Sequence, residues 1–138
     1  MSPEESTLNR YALWGWKLYQ DWLKSRRERR HGSDTWMYLS VWFALLYVTI
    51  EGWRALRLRD DRVRDLLRKQ DYVRRLGEYR HAVAHFNAQY WNERFAGMVE
   101  KRETLKWAED LTDAFQCYFA RRAIETDHPA VKALERKR

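Results

Sequence analysis

One cysteine cannot close a disulfide within its own chain, and Cys117 stands alone among these 138 residues. A lone thiol fits a reducing compartment. Cys117 lies among Phe115, Tyr118 and Phe119, so it is expected to be a buried packing thiol rather than a nucleophile. Glycine and proline are also scarce. Five of one and two of the other are too few for a fold with many tight turns. An apolar run at the N-terminus is missing: Met1-Ser2-Pro3-Glu4-Glu5 is acidic, so no signal peptide is expected and the expected location is cytoplasmic.

Large rings and arginines take up the composition instead. The chain carries eight tryptophans and eight tyrosines. Each large ring buries roughly 150–250 Å², so a few can dominate a small core and others remain for a subunit interface. Lysine and arginine number 27 against 20 acidic residues, a net charge of +7. Most of these cations are arginine, which suits bidentate contact with phosphate. Such a balance points to a polyanionic partner, nucleic acid above all, and is equally compatible with a merely solubilising surface.

The periodicity is helical and the expected fold is all-α. Ser2 reads as an N-cap, with Pro3 in the first turn and Glu4 and Glu5 facing the macrodipole. The helix that follows is expected to run to about Arg30, with Leu8, Tyr11, Ala12, Leu18, Tyr19 and Trp22 inward. A second, capped by Ser33 or Asp34, is expected from Thr35 to Leu56. Its fifteen residues from Trp36 to Ile50 are almost wholly apolar. A membrane-crossing helix needs about 20, and Tyr38, Ser40, Tyr47, Thr49 and Glu51 further weaken that reading, so a central helix surrounded by others is expected.

Charge dominates from Arg57 to Gln70, where Val63, Leu66 and Leu67 support a short exposed helix. A third main helix is expected from Asp71 to Phe95, bent or restarted near Gly77 and ended by Gly97. A fourth, from Glu100 to Glu125, carries Leu105, Ala108, Leu111, Phe115, Tyr118 and Phe119 inward. Together they suggest one domain over residues 1–138 with a basic tail from about residue 127. Its architecture would be an up-and-down bundle of four main helices plus one or more short ones.

Two of the four histidines fall in Gly77-Glu78-Tyr79-Arg80-His81-Ala82-Val83-Ala84-His85-Phe86. On a helix His81 and His85 share a face one turn apart, with Arg80 beside it. RNA can be cut by its own 2′-hydroxyl attacking the neighbouring phosphate, which requires a base, an acid and positive charge for the phosphorane. Histidine, with a pKa of about 6.5, can serve in either proton-transfer role, and arginine supplies the electrostatic stabilisation. This route needs no metal or cofactor. Two copies meeting across a two-fold axis would provide both acid and base.

Arg-x-x-x-x-His with a polar residue straight after the arginine, here Arg80-His81-Ala82-Val83-Ala84-His85, resembles the motif of HEPN-domain proteins. The resemblance implies a small helical bundle that dimerises through its motif helices and acts as a metal-independent endoribonuclease. It also implies a role as a toxin or antiviral defence effector, with an antitoxin or regulatory partner. Carried over, it makes His85 the principal base or acid and Arg80 the phosphate and transition-state contact. His81 stands where asparagine is more usual and orients the others or shares the proton work. Members paired with a nucleotidyltransferase antitoxin tend to carry tyrosine two positions after the histidine, where this chain has Asn87.

Around this centre, Arg74 and Arg75 are candidate RNA-backbone contacts, with transfer RNA among the substrates. Asn87 and Tyr90 are candidates for a base or sugar, and Glu51 for support from across the bundle. Each has a plainer alternative in surface charge, packing or a helix end reaching water. A His-x-x-x-His pair can also bind zinc, but such a site needs a third and usually a fourth ligand. Glu78 is the nearest carboxylate, and no metal is expected. The alternative function is a non-catalytic helical module that binds RNA or a partner protein through the same face.

Overall fold

A computed structural model of the chain describes residues 1–28, 33–84 and 102–127, and every regular element among them is a helix. α1 (Pro3–Arg27) starts as its sequence dictates. The Ser2 Oγ accepts the Glu5 N–H at 3.1 Å, Pro3 occupies the first turn, and Lys24, Arg26 and Arg27 close the last. It stops three residues before the expected end at Arg30. α2 (Ser33–Ala55) opens two residues earlier than expected, so Ser33 and Asp34 lie in its first turn.

The near-continuous apolar run of α2 hides which side faces inward; packing decides it. Leu39, Trp42, Phe43, Leu46, Ile50 and Trp53 are buried, at the three- and four-residue steps of one helix face. α2 is the central helix, in contact with α1 and with two helices described below. Among the described residues no helix is long and apolar enough to cross a membrane.

Trp42 anchors the core. It is fully buried, with the rings of Tyr19, Trp22 and Phe43 at 4.6, 5.5 and 4.9 Å from its own. Its Nε1–H donates to the Thr112 Oγ1 at 2.9 Å, and that hydroxyl donates to the Ala108 carbonyl at 2.7 Å. A buried indole N–H left without a partner would cost about 1–3 kcal/mol. Of the eight tryptophans, Trp22, Trp42, Trp53 and Trp107 are buried, Trp14, Trp16 and Trp36 are exposed, and Trp91 lies outside the described residues.

The short helix expected in the charged stretch is α3 (Asp61–Leu67). The Asp60 Oδ1 caps it by accepting the Val63 N–H at 3.0 Å. α4 (Gln70–Ala84) passes through Gly77 without a break, contrary to the expected restart there. The reason is steric. A β-carbon at Gly77 would lie 2.9 Å from the Tyr47 Cε2, so the missing side chain lets α4 seat against that ring. The expected continuation to Phe95, its end at Gly97 and the tail with Pro129 lie outside the described residues.

α5 (Arg102–Asp127) buries Ala108, Leu111, Phe115, Tyr118 and Phe119, with Leu105 half-buried. Cys117 is exposed, which corrects the expectation of a packing thiol. It shares the solvent face of α5 with Asp113, one turn earlier, whereas its aromatic neighbours turn inward. Glu5 and Arg122, 3.1 Å apart, and the run of contacts from Leu8–Gly52 to Ser25–Thr35 set α1 antiparallel to both α5 and α2. Trp42 with Thr112 and Trp53 with Tyr118 set α2 and α5 parallel. α1 and α2, consecutive in the chain, are thus an antiparallel pair within an all-helical bundle.

Candidate functional site

Arg80 and His81 occupy successive positions near the C-terminal end of α4, about 100° apart around the helix. The half-buried Arg80 points to α2. Its guanidinium lies 5.5 Å above the ring of Tyr47 and 3.6 Å from the Glu51 carboxylate. Tyr47 and Glu51 are one turn apart on α2 and so present a π-face and a negative charge to the same cation. The buried hydroxyls of Tyr79 and Ser40, 2.7 Å apart, fix the neighbouring turn of α4 on α2.

The Arg80–Glu51 pair is open to solvent, with side chains 42% and 51% exposed. Such a pair contributes only about 0.2–1 kcal/mol, so an incoming phosphate can displace Glu51 at little cost. Arg80 also borders an open groove of about 580 Å³ between α1 and α2, whose walls include Thr7, Leu8, Tyr11, Val48 and Glu51. The groove gives the guanidinium access to a ligand.

His81 is exposed and shares a face of α4 with Arg74, two turns earlier. Arg74 meets Glu78 at 3.3 Å and Asp71 at 3.7 Å on its own helix, so much of its charge is already answered. Arg75 stacks over the Tyr72 ring at 5.9 Å, turned well away from Arg80. The structure thus brings Glu51 to Arg80 and aligns Arg74 with His81, but it does not gather Arg74 and Arg75 around Arg80. His85, Asn87 and Tyr90 lie outside the described residues.

Tyr47 is the member of this cluster that sequence reasoning missed. Its signal was available in the i, i+4 spacing to Glu51, but in the sequence Tyr47 counted only as one of the residues arguing against a membrane span. Among the described residues no group of three or more His, Cys, Asp or Glu is placed to hold a metal ion. Chemically, the described part of the site offers a partly exposed cation on an aromatic seat, with an exposed imidazole at the next position of the helix. Comparison of the chain with protein-family models, with curated proteins and with solved structures finds no match.

Proposed function

We propose that this chain is a metal-independent endoribonuclease of HEPN type. Arg80 contacts the scissile phosphate, while His85, assisted by His81, carries the proton transfers. The observation that supports it is the placement of Arg80: on an aromatic seat, loosely held by an exposed carboxylate, at the edge of an open groove. Attack by the 2′-hydroxyl leaves a 2′,3′-cyclic phosphate, or its 3′-phosphate product, and a 5′-hydroxyl.

The active form is a homodimer with a composite site. Met37, Val41, Ala44, Val48 and Ala55 share one stripe of α2, and its far end borders the Arg80 groove. Met37 and Val41 are exposed at 51% and 37%, an apolar surface suited to a second copy. Toxin or antiviral defence is the biological role that accompanies this reading, within the cytoplasm.

Purified wild-type, Arg80→Gln and His85→Ala proteins incubated with total and transfer RNA in EDTA test it. Wild type is expected to leave cyclic-phosphate ends, and His85→Ala to cut roughly 10²–10⁴-fold more slowly. Equal rates for wild type and His85→Ala would sink the assignment. Binding without cleavage by any of the three would favour the non-catalytic RNA-binding module.

A further inference from the structure

At the C-terminus of α2 the chain turns through a second groove, of about 650 Å³, lined by Arg54, Arg57, Arg59, Arg64 and Arg68. Asp60 and Asp61 also line it, but both are engaged. Asp60 caps α3 with one oxygen and takes Arg121 with the other, and Asp61 pairs with Arg64 at 3.2 Å. Arg68 pairs with Asp65 at 3.6 Å. Arg54, Arg57 and Arg59 form no ion pair with any described residue. Three uncompensated guanidinium groups around one groove repel one another, and an anion relieves that repulsion.

The backbone supplies a second, independent sign. The Leu58 N–H bonds the Trp53 carbonyl and the Arg57 N–H bonds the Arg54 carbonyl, a Schellman ending for α2. The residue in the left-handed position of this motif is usually glycine, yet here it is Arg57, with φ 53°. An arginine standing where glycine would relieve strain is explained if its side chain is used.

We propose that this groove binds the phosphates of a single-stranded RNA and leads the strand towards Arg80. The geometry supports continuity. Tyr47, Glu51 and Arg54 lie on one face of α2, so Arg54 is one turn beyond the carboxylate that holds Arg80. Ala55 and Leu56, between Arg54 and Arg57, line the Arg80 groove itself. Arginine's planar fork suits bidentate phosphate contact. The choice of RNA as the polyanion rests on the ribonuclease reading; the anion site itself does not.

The test uses a fluorescein-labelled single-stranded RNA and the slowly cleaving His85→Ala chain, with anisotropy measured across a salt series. Adding Arg54→Gln, Arg57→Gln and Arg59→Gln together is expected to weaken binding roughly tenfold and to flatten the slope of log affinity against log salt by about 2. Arg57→Gly alone is expected to weaken binding while raising the thermal midpoint, so a loss of binding there is not a loss of fold. Unchanged affinity and slope in both variants would overturn the proposal. Cleavage by otherwise wild-type chains in EDTA is run alongside. Intact cleavage with unchanged binding in the triple variant removes the groove alone; no wild-type cleavage, with binding still lost in the triple variant, removes the ribonuclease reading and leaves the groove.

Discussion

Around Arg80 two weak attractions act on one guanidinium. The exposed Glu51 contributes about 0.2–1 kcal/mol and the Tyr47 ring about 0.5–1 kcal/mol. Together they bias the side chain towards the groove without trapping it. Tyr47 can occupy its place only because Gly77 carries no side chain. Gly77→Ala should gain up to about 1 kcal/mol of helix propensity and lose about 1–3 kcal/mol to overpacking against the ring. The expected outcome is a net loss of about 1 kcal/mol in urea denaturation and, on the proposed ribonuclease reading, slower RNA cleavage. Tyr47→Leu in the same chain should recover the stability but not the cleavage. Additive stability effects in that double-mutant cycle would show that Gly77 and Tyr47 do not communicate.

Helix ends give the elements different characters. α1 is capped by its own sequence through Ser2, and α3 by Asp60, whose second carboxylate oxygen also ties it to α5 through Arg121. α2 ends in a left-handed arginine, at a steric cost of about 1–2 kcal/mol relative to glycine. Arg57→Gly should therefore stabilise the chain by about 1 kcal/mol in chemical denaturation, against the usual trend for substitutions. A destabilised Arg57→Gly chain would mean that the side chain contributes packing that outweighs its backbone strain.

At the scale of the whole molecule, the rings divide between core and surface. Trp42, held by three neighbouring rings and Thr112, stabilises the bundle, whereas Met37 and Val41 project from α2 beside it. If the active form is a dimer through that stripe, Val41→Glu should shift sedimentation towards the monomer and reduce cleavage, with the thermal midpoint of dilute protein nearly unchanged. A dimer that persists in Val41→Glu with full activity would remove this stripe from the interface.

Much of the bundle was readable from local patterns. The Ser2 cap, the inward stripe of α5 and the short helix within the charged stretch follow from spacing and capping chemistry, which act over a few residues. Glu51 and the Arg80–His81 pair were singled out for their chemistry within apolar surroundings. Tertiary packing decided the rest. Which side of α2 is core was hidden, because an apolar run carries no contrast between faces; contact with α1, α4 and α5 chose the side of Trp42. Gly77 looked like a helix breaker, since propensity counts only the backbone, until the Tyr47 ring showed what its empty side fits. Cys117 turned outward among inward-facing rings because a helix rotates about 100° per residue, so neighbours in sequence need not share an environment. Residue types and their spacing are set along the chain, but the meeting of Tyr47, Glu51 and Arg80 exists only once α4 has packed on α2.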